Sequence, residues 1–140
     1  MFKRVIDIRW RDLDALGHVN NVVYGTYLEE ARDRWLMQTL DGITPITEFV
    51  LVHVSIDYIS ELVFDDLRVT STCEPVRIGT SSITTRETIV KRSGELAARG
   101  EAVMVVRDRE TGTSRPLRPD ERSAIESQLS ADNDESDHSS

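Results

Sequence analysis

The chain holds a single cysteine, Cys73, in 140 residues, so no internal disulfide can form. Its opening residues, Met1 to Asp7, lack the apolar stretch of a secretory signal. Together these absences predict a cytoplasmic protein with reduced thiols. No apolar run approaches the roughly 18 residues that cross a bilayer, which argues against an integral-membrane role. An excess of base is missing too. The formal charge is -8, but from Pro119 onward seven acids stand against one base, net -6, and residues 1–118 hold 16 bases and 18 acids, net -2. A near-neutral body without a basic face argues against a nucleic-acid partner. No internal repeat is evident, and His18, His53 and His138 have no ligand spacing, so no metal site is expected. Cys73 lies in a strand-like run without a nearby base and reads as a small core residue.

What is present suffices for one domain, since a chain of this length can bury a core without disulfide or metal staples. In the first segment Phe2, Arg4, Ile6, Ile8 and Trp10 alternate with Lys3, Val5, Asp7 and Arg9, the pattern of a strand with one buried face. Further on, Tyr24, Tyr27, Leu28, Ala31 and Trp35 follow helical spacing, with Glu29, Glu30, Arg32, Asp33 and Gln38 on the other side. This predicts an amphipathic helix that starts at Asn20 or Asn21, a capping residue type, and stops near Gly42. Val50, Val52, Val54, Ile56 and Tyr58 then alternate with Leu51, His53, Ser55 and Asp57 as a long half-buried strand. Leu67 to Cys73, Thr84 to Val90, and the run from Leu96 to Val106 read as three more strands, with turns at Asp65-Asp66, Ile78-Gly79-Thr80 and Arg92-Ser93-Gly94. The last of these strands is expected at the sheet centre. A short helix is predicted over Asp120–Ser127. The acidic, serine-rich stretch Ser130–Ser140 has too few apolar side chains to repay its ordering entropy and is expected to be disordered. The class is α+β: one long helix laid on an antiparallel sheet, because a single apolar helix stripe must cover a single apolar sheet face.

The chemistry is concentrated in Asp12-Leu13-Asp14-Ala15-Leu16-Gly17-His18-Val19-Asn20-Asn21-Val22-Val23-Tyr24. A carboxylate, an imidazole and a helix N-terminus lie within a few residues, and together they can polarise a carbonyl and direct attack on it. Each residue also has a simpler structural role available. Asp12 can cap the turn, Asn20 can cap the helix, and Gly17 can serve a backbone conformation closed to other residues. Tyr24 and Tyr27 can be core or pocket wall. His53, on a strand face with Leu51 and Ser55, reads as structural or interfacial.

The motif Asp12-x-Asp14-x-x-Gly17-His18-Val19-Asn20-Asn21-x-x-Tyr24, followed by a helix and four strands, resembles the hotdog-fold acyl thioesterases, and within them the 4-hydroxybenzoyl-CoA thioesterase group. Val54-x-Ile56-x-Tyr58 and Arg77-Ile78-Gly79-x-Ser81-Ser82 add weaker support. The resemblance covers residues 2–118 and implies a hotdog domain over 1–118, followed by the short helix over 119–129 and the acidic tail over 130–140. It further implies a curved antiparallel sheet wrapped around the helix, and a homodimer or homotetramer with active sites at the subunit interface. The implied reaction is hydrolysis of an acyl-CoA or other acyl thioester, with coenzyme A entering as part of the substrate and no separate cofactor. Asp14 takes the catalytic carboxylate position, as general base or nucleophile, and the Asn21 backbone N–H takes that of the oxyanion donor. His18 matches a residue implicated in catalysis in the acyl-carrier-protein thioesterases, but Leu16 stands where those enzymes carry an Asn, so His18 is either a substrate contact or a brace of the turn. Tyr24, Arg77, Gly79, Ser81 and Ser82 become expected substrate-binding residues, with Lys91 and Arg92 as further cations for the coenzyme phosphates. The competing readings are an acyl-carrier-protein thioesterase, an enoyl-thioester hydratase and a non-catalytic acyl-CoA-binding protein. Asn20-Asn21 opening the helix favours the thioesterases over the hydratase, and the retained Asp14 disfavours the non-catalytic protein.

Overall fold

The computed structural model describes residues 1–139, with side chains described through Leu129. Strand β1 (Phe2–Asp7) is shorter than the alternation predicts. Asp12 draws Arg9 into a 3-10 turn over Trp10–Asp12, its carboxylate accepting the Arg9 N–H at 2.9 Å. The strand therefore ends early, and Trp10, expected inside, is 75% exposed. Helix α1 (Asn21–Thr39) is capped by the Asn20 side chain, which accepts the Val22 N–H at 3.0 Å. Tyr24, Tyr27, Leu28, Ala31 and Trp35 are buried, as the helical spacing predicts. Arg32 is the exception, because it belongs to the buried face and not to the solvent face where its charge suggested. Its guanidinium meets Glu87 in a bidentate pair at 2.8 and 2.9 Å.

Four more strands follow: β2 (Phe49–Tyr58), β3 (Arg68–Ile78), β4 (Ser82–Lys91) and β5 (Leu96–Val106). They form one antiparallel sheet in the order β1-β3-β4-β5-β2. The centre is β4, where sequence pattern put β5, because α1 carries the chain across the sheet and delivers β2 beside β5. Gly100 of β5 lies opposite Ile56 of β2. A Cβ there would sit 2.6 Å from the Ser55 carbonyl oxygen and 3.4 Å from a Leu28 methyl, so only glycine lets sheet and helix close up at this point.

Strand β2 departs from its predicted pattern in two ways. A register shift between Leu51 and His53 reverses the side-chain alternation, so Phe49 and Leu51 join Ile56 on the α1 side in place of Val50 and Val52. The strand is also an edge, and within one chain it is largely uncovered: Leu51, Val52, Val54 and Tyr58 are all exposed. Four apolar or aromatic side chains left open on one sheet edge form an unusual surface for a finished assembly.

Two apolar clusters make the core. One gathers Tyr24, Tyr27 and Leu28 with Val69 and Ile89, and the other gathers Trp35 and Leu36 with Cys73, Ile83 and Met104. Burial pushes the Cys73 thiol up from its ordinary value, with nearby Glu87 adding to the effect, which fits its reading as a core residue. Helix α2 (Pro119–Ser139) is longer than the short helix predicted over 120–127 and places Ile125 in the second cluster. The side chains of 130–140, where a disordered acidic tail is expected, lie outside the described residues. Glu121 clips α2 to the body. It is fully buried and accepts from Arg115 twice at 2.8 Å, from the Arg118 N–H at 2.7 Å and from Thr44 at 2.5 Å.

Candidate active site

The loop between β1 and α1 is built on Asp12. Buried to 1% exposure, its carboxylate accepts the Tyr27 hydroxyl at 2.6 Å as well as the Arg9 backbone and guanidinium. Burial alone would raise its pKa, but the bonds from Tyr27 and Arg9 outweigh this and hold the carboxyl below its ordinary value. The Asp12 carbonyl also receives the Asn20 N–H at 2.9 Å. Asp12 thus ties the loop to α1 and takes the structural role, with both oxygens occupied.

From this anchor the chain makes a tight excursion over Asp14–His18. The Asp14 N–H donates to the His18 carbonyl at 2.8 Å and the Gly17 N–H to the Asp14 carbonyl at 3.1 Å, with Gly17 at φ +85°, a conformation that favours glycine. One carboxylate oxygen of Asp14, Oδ1, accepts the Leu16 and His18 N–H groups at 2.9 and 3.2 Å. The other, Oδ2, has no partner among the described residues, and the side chain is solvent-exposed. A carboxylate fixed through one oxygen and open at the other is positioned to accept a proton or attack a carbon.

The helix N-terminus adds a donor. The Val22 and Val23 N–H groups are taken by Asn20, whereas the Asn21 N–H, first in the helix, has no intrahelical acceptor and lies at the positive end of the dipole. The Asn21 carbonyl is steadied by the Tyr58 hydroxyl at 3.3 Å. His18 sits alongside through a bridge to Val63, and its Nε2 faces Glu61 at 3.4 Å rather than Asp14. Glu61 is a residue the sequence reading missed, since it arrives from the segment after β2 and no local pattern links it to the motif.

The remaining expected residues divide. Tyr24 is 2% exposed; its hydroxyl donates to the Ser60 carbonyl and accepts the Leu62 N–H, each at 3.1 Å. It is a latch between α1 and the chain after β2, a bracing role that stands beside the substrate contact expected of it. Arg77, Gly79, Ser81 and Ser82 occupy the β3–β4 turn. Asp7 pairs with Arg68 at the start of β3, and Ile78 at its far end is roughly 30 Å further along the strand at about 3.3 Å per residue. Within one chain, then, the turn and the Asp14 loop stand at opposite ends of the sheet. Among the described residues no group of three or more His, Cys, Asp or Glu side chains could hold a metal ion.

The sequence profile of the thioesterase-like superfamily matches residues 8–129. The chain belongs to that family. Solved structures agree and show the hotdog fold. A thioesterase from Thermus thermophilus, complexed with coenzyme A and Zn, is 31% identical, with 92% of this chain and 94% of that one covered at a TM-score of 0.83. A protein from Bacillus stearothermophilus described as a predicted thioesterase is 25% identical, covering 91% and 96% at 0.83. A 1,4-dihydroxy-2-naphthoyl-CoA thioesterase from Synechocystis, 23% identical over 89% and 94% at 0.75, shares the fold. No curated protein matches the chain. No helix among the described residues is long and apolar enough to cross a membrane.

Proposed function

We propose that the chain is an acyl-CoA thioesterase. The observation that carries this reading is the pairing of an open carboxylate oxygen on Asp14 with an unclaimed N–H on Asn21. The thioester oxygen accepts the Asn21 N–H, whose dipole favours the negative charge that develops as the carbonyl becomes tetrahedral. Asp14 Oδ2 takes a proton from water as the water oxygen bonds the carbonyl carbon. Collapse breaks the carbon–sulfur bond, and the proton passes to the leaving thiolate, giving a free acid and coenzyme A. His18, held by Glu61, orients the substrate carbonyl or the water from the side. The Thermus protein's bound coenzyme A supports this choice of thiol.

The distant β3–β4 turn joins the site if two copies pair through their β2 edges. Tyr58 bonds Asn21 at one end of β2. At the other end Phe49 pairs with Val106, whose N–H donates to the Ser81 carbonyl at 3.0 Å. Antiparallel pairing of β2 with its counterpart sets the Phe49 end of one copy against the Tyr58 end of the other. That brings the partner's Arg77, Gly79, Ser81 and Ser82 toward Asp14, where the guanidinium suits the coenzyme phosphates. It also covers the exposed valines of β2. Release of thiol from a panel of short, aromatic and long-chain acyl-CoAs tests the proposal: turnover is expected with at least one class, and its absence with all of them would overturn it.

A further inference from the structure

The β3–β4 turn is held in shape from outside its own hairpin. Within the hairpin the Gly79 N–H donates to the Ser82 carbonyl at 2.8 Å. The next carbonyls bond residues from elsewhere in the chain: Ser81 receives the Val106 N–H at 3.0 Å and Thr80 the Leu117 N–H at 2.9 Å. Arg122 of α2 completes the set. Its Nη2 donates to the Gly79 carbonyl at 2.9 Å and to the Thr80 carbonyl at 3.4 Å.

These bonds fix which way the peptides face. In a trans peptide the N–H lies opposite the carbonyl, so drawing the Gly79 and Thr80 carbonyls toward Arg122 turns the Thr80 and Ser81 N–H groups away from it. Neither N–H has an acceptor among the described residues. Successive backbone donors turned outward suit an anionic group, and Arg77 stands two residues before Gly79. Arg122 is itself firmly placed. Its neighbour Glu121 is tied to Arg115 and Thr44, and further along the helix Gln128 bonds Trp35 and Thr39 of α1. Helix α2 is thus a strut that carries the rigidity of α1 to the turn.

We infer that Arg122 is a positioning residue for coenzyme A, holding the β3–β4 turn in the shape that takes the phosphates without touching the substrate itself. This rests on the thioesterase reading and the β2-paired dimer above. Without Arg122 the coenzyme must order the turn as it binds, which weakens affinity. The reacting groups at Asp14 and Asn21 are unaffected, so the loss falls on KM and not on kcat.

The test compares the best acyl-CoA substrate with the same acyl group on N-acetylcysteamine, a thiol without phosphates. Arg122→Met, and Arg122→Gln as a milder change on the helix surface, are expected to raise KM for the acyl-CoA at least tenfold with kcat within twofold, and to leave KM for the short thioester unchanged. Arg122→Lys keeps a long donor and is expected to restore most of the affinity. Gln128→Ala loosens α2 at its other attachment and is expected to lower Tm without moving KM. Amide hydrogen exchange of the ligand-free protein supplies the second readout: the Gly79 and Leu117 N–H groups, which bond the turn, are expected to exchange at least tenfold faster in Arg122→Met. An unchanged KM, or an equal rise with both thioesters, would overturn the proposal. A raised KM with unchanged exchange would place Arg122 on the phosphates directly and overturn the positioning role. If no thioester were cleaved the thioesterase reading would fall, and calorimetric binding of free coenzyme A would still decide: binding at least tenfold weaker in Arg122→Met supports the proposal, while equal binding, or none by the wild-type protein, overturns it.

Discussion

Acidification should loosen the C-terminal clip through Glu121. Burial alone would raise this carboxyl, but the paired bonds from Arg115, with those from Thr44 and the Arg118 N–H, outweigh it and hold the pKa down at about 2, against an ordinary value of 4.5. A folded pKa below the unfolded one stabilises the fold above pH 4.5, and that stabilisation is lost as the pH falls toward 2. A pKa difference of about 2.5 corresponds to about 3 kcal/mol at neutral pH, at roughly 1.36 kcal/mol for each tenfold change. Glu121→Gln imitates the protonated group. Urea unfolding of both proteins from pH 7 to pH 3 is expected to show the variant about 3 kcal/mol less stable at pH 7, or about 10 °C lower in Tm for a chain of this size. The gap should narrow steadily below pH 4.5, since other carboxylates affect both proteins alike. Parallel stability curves across that range would refute the assignment of the depressed pKa to Glu121.

The core makes its own predictions. Arg32→Met should cost about 3–5 kcal/mol by leaving Glu87 buried and unpaired, while Arg32→Met with Glu87→Met should recover most of it, as read by denaturant unfolding. Gly100→Ala should destabilise by more than about 1 kcal/mol, because its Cβ meets the fixed Ser55 carbonyl and not a movable side chain; thermal unfolding checks it. Val54→Glu, on the exposed edge strand, should shift the assembly toward a monomer in sedimentation and lower thioesterase activity with it.

Local patterns made much of this legible. The buried stripe of α1, the Asn20 cap and the hairpin turns depend on neighbours in sequence, and each is found where the spacing put it. The misplaced features depend on partners far along the chain. Arg32 looks solvent-facing until Glu87 arrives beneath it from β4. Strand β2 looks half-buried until the register shift at Leu51/His53 reverses its faces and its edge position leaves it uncovered. Trp10 looks like the end of a strand, but the Asp12 carboxylate closes a turn before it. At the site, the motif announced a carboxylate and a helix N-terminus, and the family resemblance, not the two identical residue types, singled out Asp14 over Asp12. The structure adds that both Asp12 oxygens are taken by Tyr27 and Arg9 while Asp14 lies in solvent.

That division is tested most directly by comparing thiol release from acyl-CoA by the wild-type protein and Asp14→Asn. The amide keeps the size of the side chain and can still accept the Leu16 and His18 N–H bonds through its oxygen, but it cannot act as a base. A fall in kcat of at least about 100-fold, the lower range for a lost general base, with the fold and Tm preserved, is the predicted result. Comparable turnover in the two proteins would contradict the account.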